Sequence, residues 1–325
     1  MLDETISTRP ASRDPDAPGR MDWLARLMAW ATFKIPRIAP LRWRQPADRR
    51  RGNDLTCTWF TVTADDSVEL DAVYRPPQHP WDPDSQASSP KPQALPPVLP
   101  VVFAHGWTET KEFHFRIARV LAYAGHPVIL FDQRGHGSSQ GKYSTLGVLE
   151  QHDLRAVIDE GTRRGWFGPR VITMGVSMGA ASALCHAARD PRVAGVVAYA
   201  PFSRFTDAIR SYQRRYARWF SADWAIRGFK QFGTKRGIDI DEAAPLDAMA
   251  RISAPVLFVV GTRDVNLPHE DHTQPLLAAA PNDCRFVPAE GANHFNVVSQ
   301  RWPGVDQAVL RFCEHVLSHC APDMQ

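Results

Sequence analysis

Five residues, Gly175-Val176-Ser177-Met178-Gly179, carry the most chemical information in the chain. They follow an apolar run that reads as a strand (170–175) and open an alanine-rich run that reads as a helix (178–189). A G-x-S-x-G sequence in that setting forces a tight strand-to-helix turn. The turn lifts the serine hydroxyl clear of the sheet, and its glycines are needed where side chains would collide with the returning backbone. The helix N-terminus behind the serine favours developing negative charge. A serine hydroxyl is a weak nucleophile near neutral pH, so it needs a base, and the base needs an orienting carboxylate. Both follow in the order Ser, Asp, His, each just past a strand end. Asp264 closes Gly261-Thr262-Arg263-Asp264 after a strand at 255–260, and His294 lies in the loop after a strand at 284–288. His294 is expected to take the Ser177 proton while Asp264 holds the ring in one tautomer. Donors for an oxyanion are expected from the backbone amides of Trp107 and Met178. Trp107 lies in the turn Ala104-His105-Gly106-Trp107 that ends a strand at 98–104. His105 is expected to make structural hydrogen bonds around that turn, because His294 fills the base position.

Asp132, at the end of a strand at 127–131, competes for the role of the acid. It is expected instead to hold the following loop in place with Arg134 and His136. Asp207, after a strand at 193–199, is the other competitor; Asp264 is preferred because it sits one strand before His294. Asp153 and Asp159 fall on a helix at 147–164 and are expected on its solvated face or as first-turn partners. His114, His126, His152, His186, His269, His272, His315 and His319 lack a strand-end setting and are expected at surface or core positions. Cys185 reads as a small buried hydrophobe.

The elements that must position these groups alternate. A hairpin at 57–63 and 68–74 precedes the strands, and helices are expected at 112–124, 147–164, 178–189, 245–251 and 303–318. Short apolar strands separated by helices imply an α/β fold, a mostly parallel sheet covered on both faces. The core is assigned to 57–201 and 241–319, with a proline-dense loop at 75–97. Residues 202–240 read as a helical cap over the strand C-termini, the alternative being a two-helix crossover packed on the sheet. Phe205, Tyr212, Tyr216, Trp219 and Phe220 recur there at helical spacing and are expected to line an apolar pocket.

Residues 1–20 read as a disordered tail and 21–56 as a basic amphipathic extension. Within the extension a helix is expected at 22–33, with Trp23, Leu24, Leu27, Met28 and Ala31 on its apolar face. Pro36, Pro40 and Pro46 should end it. Docking on the domain is preferred for this helix; contact of residues 20–51 with an anionic membrane surface is the second reading.

With 325 residues, 44% hydrophobic and 22% charged, the chain suits a folded soluble protein with one large core. Five scattered cysteines without a CxxC pair argue against a zinc site or disulfide framework, and no cofactor or metal is expected. No apolar run approaches the roughly 18 residues that span a bilayer, and the polar N-terminus lacks the pattern of a secretory signal. The expected location is the cytoplasm, with peripheral contact at the inner membrane face as the second reading. The net charge of +3 is concentrated in residues 20–51, where nine Lys/Arg face two Asp. The rest is near neutral, which argues against nucleic acid as partner. Nothing in the sequence bears on oligomeric state.

HGW at 105–107, FDQRGHGSS at 131–139, GVSMG at 175–179, GTRD at 261–264 and GANHF at 291–295 together resemble the α/β-hydrolase superfamily. Residues 101–160 resemble its serine-hydrolase group that includes monoacylglycerol lipases and serine-aminopeptidase-like enzymes. The resemblance covers roughly 57–319. It implies the α/β-hydrolase fold, Ser177, Asp264 and His294 as a catalytic triad, and Trp107 and Met178 as oxyanion donors. Serine rather than aspartate at the turn sets the chain apart from the dehalogenases and epoxide hydrolases of this fold. The expected activity is cleavage of a carboxylic ester or thioester through an acyl-serine intermediate, on a small molecule with an apolar acyl part. Peptide or amide cleavage is one alternative, disfavoured because the cap holds Arg204, Arg210, Arg214, Arg215, Arg218 and Arg227 and few carboxylates to bind a free amine. A catalytically idle, membrane-associated scaffold is the other.

Overall fold

Strands whose every side chain is buried dominate the centre of the molecule, as seen in a computed structural model that describes residues 22–38, 57–78, 98–281, 283–299 and 302–320. They are β3 (Val101–Ala104), β4 (Val128–Phe131), β5 (Val171–Val176), β6 (Val193–Tyr199) and β7 (Val256–Gly261). Runs of Val, Ile, Leu and Phe with no polar alternation belong to strands covered on both faces, which is the environment of a parallel sheet. β1 (Thr58–Thr63) alternates exposed and buried positions; with β2 (Glu69–Arg75) it forms an antiparallel pair at one edge. β8 (Cys284–Ala289) closes the other edge, and the order is β1-β2-β4-β3-β5-β6-β7-β8. β2 runs antiparallel to β4, and all later neighbours are parallel.

The expected α/β architecture is therefore present, with strand ends within a few residues of the sequence reading. On one face Phe131, Leu154, Leu184 and Phe258 join a core under the helices Glu150–Arg163 and Met178–Ala187. On the other, Phe103, Leu121, Ile172 and Phe312 pack under Phe115–Tyr123 and Pro303–Cys320. The helix Thr273–Ala279, unpredicted from the sequence, packs beside Pro245–Met249 and joins the first of these cores through Leu276.

Between β6 and β7 lie the helices Phe205–Tyr216 and Ala222–Thr234. They are not packed flat on the sheet. Their apolar faces form a third cluster with Leu146, Met178 and Leu267, which belong to the loops and helix at the strand C-termini. The N-terminal helix Asp22–Ile38 joins this cluster through Ala29 and Phe33. Phe33 stacks on Phe232, ring centroids 4.7 Å apart and 12° from parallel, and its carbonyl accepts from the Ser144 amide at 3.1 Å.

Two expectations for this helix are corrected. It runs past Pro36 to Ile38, since a proline in the last turn removes only one bond near the end. Its buried face is Ala25, Ala29 and Phe33, while Leu27 is 46% exposed. Small residues are chosen for close helix approach there, and apolarity alone does not reveal that. The expected tail at 1–20, Pro40 and Pro46, and all but the start of the 75–97 loop lie outside the described residues.

Of the two settings expected for Asp153, the first turn of its helix is the one found, and the solvated face is corrected. Asp153 is fully buried and accepts from Arg134 Nε at 2.7 Å; Asp66 accepts from Nη1 of the same guanidinium at 2.7 Å. Asp159 is on the surface, bound to Arg192. Removing one partner of a buried pair leaves an uncompensated charge, so Arg134→Ala should cost about 3–5 kcal/mol. Urea unfolding should show a lower midpoint at an unchanged slope.

Candidate active site

The turns at the carboxyl ends of the parallel strands meet above the sheet. β5 ends at Val176, and Ser177 takes φ 52° and ψ −113° before the helix Met178–Ala187 begins. A non-glycine residue at such a φ is held there by its surroundings. Here the Ser177 amide donates to Tyr199 O at 2.8 Å on neighbouring β6. A Cβ on Gly179 would lie 2.1 Å from Ala104 O, so the helix can approach the end of β3 only with glycine at that position.

β7 and β8 pair from Val256–Cys284 to Gly261–Ala289, which sets the two following loops side by side. The Arg263 amide donates to Ala292 O at 2.8 Å, and the Gly291 amide to Thr262 Oγ1 at 2.8 Å. This brings Asp264 to His294: Asp264 Oδ2 lies 2.7 Å from His294 Nδ1. The other carboxylate oxygen, Oδ1, accepts from the amides of Asn266 and Leu267, both at 2.9 Å, which fixes the plane of the group. His294 Nε2 is 3.0 Å from Ser177 Oγ. With the carboxylate accepting from Nδ1–H, Nε2 is left to accept from the hydroxyl. Three groups 87 and 30 positions apart in the chain thus form one hydrogen-bonded line, and Asp264 and His294 are both 7% exposed.

The loop after β3 lies beside it. Gly106 O accepts from His105 Nδ1 at 2.7 Å and from the Glu109 amide at 3.2 Å. His105 Nε2 accepts from the Gln133 amide at 2.9 Å, so its proton is on Nδ1. Burial holds the ring neutral, its pKa pushed down to about 3. Glu109 Oε2 accepts from the Gly106 amide at 2.7 Å and meets His114 Nε2 at 3.0 Å. Burial would raise the pKa of Glu109, but His114 and that amide outweigh it and hold the carboxyl down at about 2. The trans peptide Gly106–Trp107 is therefore gripped by its carbonyl, which turns the Trp107 N–H the opposite way. Neither this amide nor that of Met178 has an acceptor among the described residues.

Asp132 stands apart from this line. It accepts from the Lys111 amide at 2.9 Å, Lys111 Nζ at 2.7 Å and the Ser138 amide at 2.8 Å, and so pins its own loop. Asp207 accepts from Ser203 Oγ at 2.9 Å and does not reach His294.

Ser177 opens into a cavity of about 280 Å³ under the two helices between β6 and β7. Phe205, Tyr212, Tyr216 and Phe220 line it, but Trp219, expected among them, is 77% exposed outside. Several of the nearby arginines are occupied by acids: Arg204 by Asp247, Arg210 by Asp223 at 2.7 Å and Arg214 by Asp271. They belong to a solvated, ion-paired face.

Two contributions were not read from the sequence. His272, fully buried, takes Ser211 Oγ of the Phe205–Tyr216 helix at 2.9 Å on Nε2 and Ser203 Oγ at 3.1 Å on Nδ1, tying that helix to the loop that carries Asp264. Burial pushes its pKa down to about 4. The second is the N-terminal helix, whose Met28 and Thr32 reach the cavity wall. A lone histidine gives no local signal of this tie, and the pattern of the helix points to docking on the domain but not to where it docks.

Residues 96–237 match the family model described as Hydrolase_4: Serine aminopeptidase, S33. Over 176 residues the chain is 28% identical to the uncharacterized protein YqkD of Bacillus subtilis, a match covering 52% of this chain and 56% of that protein. Its structure is similar to an esterase of Pyrococcus furiosus, with TM-score 0.60, 19% identity, and 83% of this chain and 96% of that one covered. It is likewise similar to a Mycobacterium tuberculosis puromycin-hydrolyzing peptidase, with TM-score 0.60 and 19% identity, covering 80% of this chain and 39% of that one. With the strand order given above, these likenesses show the α/β-hydrolase fold.

Proposed function

We propose that this protein is a serine hydrolase that cleaves a carboxylic ester or thioester with an apolar acyl group. The observation that carries the reading is the continuous line Ser177 Oγ, His294, Asp264, at 3.0 and 2.7 Å, on the floor of an apolar cavity.

In this reading Ser177 Oγ attacks the acyl carbonyl carbon while its proton passes to His294 Nε2. The carbonyl π electrons move to oxygen, and the amides of Trp107 and Met178 donate to the resulting oxyanion. On collapse, the bond to the leaving oxygen or sulfur breaks and that atom takes the proton from His294. An acyl-serine remains. Water then gives a proton to His294 and attacks the same carbon; on collapse the bond to Ser177 Oγ breaks, Oγ takes the proton back from His294, and the carboxylic acid leaves. Asp264 keeps Nδ1 protonated throughout and stabilises the ring when it is charged. The Trp107 amide owes its direction to His105 and Glu109, on the geometry above.

The likeness to an esterase supports the reading, and the likeness to a peptidase raises amide cleavage as its rival. No carboxylate lines the cavity among the described residues, so nothing there would recognise a free amine. Kinetics on p-nitrophenyl esters and on amino-acid p-nitroanilides separates the two. Ester turnover should exceed anilide turnover by at least tenfold in kcat/KM; the reverse order would replace esterase by peptidase.

A further inference from the structure

We propose that the N-terminal helix is the wall of the acyl cavity that sets which acyl chains fit, with Met28 as the specificity-determining residue. The inference rests on the esterase reading and deepens it.

Met28 and Thr32 lie one helical turn apart, on one face of Asp22–Ile38, and both line the cavity that contains Ser177. Thr32 Oγ1 donates to Met28 O at 2.9 Å, so its hydroxyl is already used within the helix and adds little polarity to the wall. Met28 has no such tie. Its unbranched thioether side chain adapts to an irregular apolar space, which makes it the part of this wall that substrate shape would meet.

The wall is held in place firmly. A Cβ on Gly228 would lie 2.5 Å from that of Ala25, so this helix and Ala222–Thr234 approach as closely as a glycine allows. Phe33 also contacts Phe229, with centroids 5.7 Å apart, and Phe229 is itself a cavity residue. A change of side chain at position 28 should therefore alter the cavity without moving the helix. The helix lies outside the 96–237 segment that matches the family model, so the motifs around Ser177 do not specify this wall.

The test uses the full chain and p-nitrophenyl esters from acetate to laurate. Met28→Trp should lower kcat/KM for the long-chain esters about tenfold or more while acetate stays within about twofold. Met28→Ala should shift the preferred length upward. Leu27→Ala, on the exposed side of the same helix, should leave the series unchanged. Binding of decanoate to Ser177→Ala protein, by calorimetry, gives a readout that needs no turnover, and adding Met28→Trp should weaken it about tenfold. Equal loss at every chain length, or an unchanged series together with unchanged decanoate binding, would overturn the proposal. A wild type that binds decanoate in a Met28-dependent way but hydrolyses no ester would instead sink the esterase reading alone.

Discussion

Ser177→Ala protein should fold with wild-type stability and lose about 10⁴- to 10⁶-fold in kcat toward esters, leaving KM within a few-fold. In the proposed mechanism the hydroxyl is the atom that forms the covalent bond, so its removal takes away the whole acyl-enzyme route. The backbone that places it should hardly notice. The tight turn is held by the Ser177 amide on Tyr199 O and by the close approach of Gly179 to Ala104, neither of which involves the hydroxyl. Steady-state kinetics beside a urea melt reads both halves. A variant retaining a tenth or more of the activity would remove Ser177 from the mechanism.

Asp264→Asn is the second large effect, about 10⁴-fold in kcat with little change in stability. The amide is nearly the shape of the carboxylate, and its oxygen can still accept from the Asn266 and Leu267 amides. Its NH₂ would then face His294, which favours the tautomer protonated on Nε2, the nitrogen that must accept the Ser177 proton. The negative charge that balances the protonated ring is lost as well. Asp207→Asn makes the comparison, since that carboxylate is engaged by Ser203 and does not reach the line. Its activity should stay within about threefold. If Asp207→Asn and Asp264→Asn exchanged these outcomes, the acid would have been wrongly assigned.

The parallel strands and the order of the strand-end residues were legible because both are written locally. VVFA, VILF, VITMGV and VLFVVG are almost wholly apolar runs, and Ser177, Asp264 and His294 come just after VITMGV, VLFVVG and CRFVPA. What escaped depended on partners distant in the chain. Asp153 reads as a solvated or first-turn helix residue, and that it is a buried first-turn residue is settled only by Arg134, from another loop. Trp219 continues an aromatic stripe, yet it follows the end of the Phe205–Tyr216 helix, where the periodicity no longer says which way a side chain faces. The helix Thr273–Ala279 is short, with a proline in its first turn and two alanines at its end, too little for a periodic signal. Met28 lies on the expected apolar face, but that the face closes a cavity over Ser177 requires Gly228 and Phe232 to be placed first.

Active-site labelling with a fluorophosphonate tests the central claim most directly, because the reagent bonds only to a serine whose hydroxyl is activated by a base. Intact-mass and peptide mapping of the wild type should show one adduct, on Ser177, and none in Ser177→Ala. An unlabelled wild type, at a concentration where a known serine hydrolase reacts fully, or an adduct that persists in the alanine variant, would contradict the account.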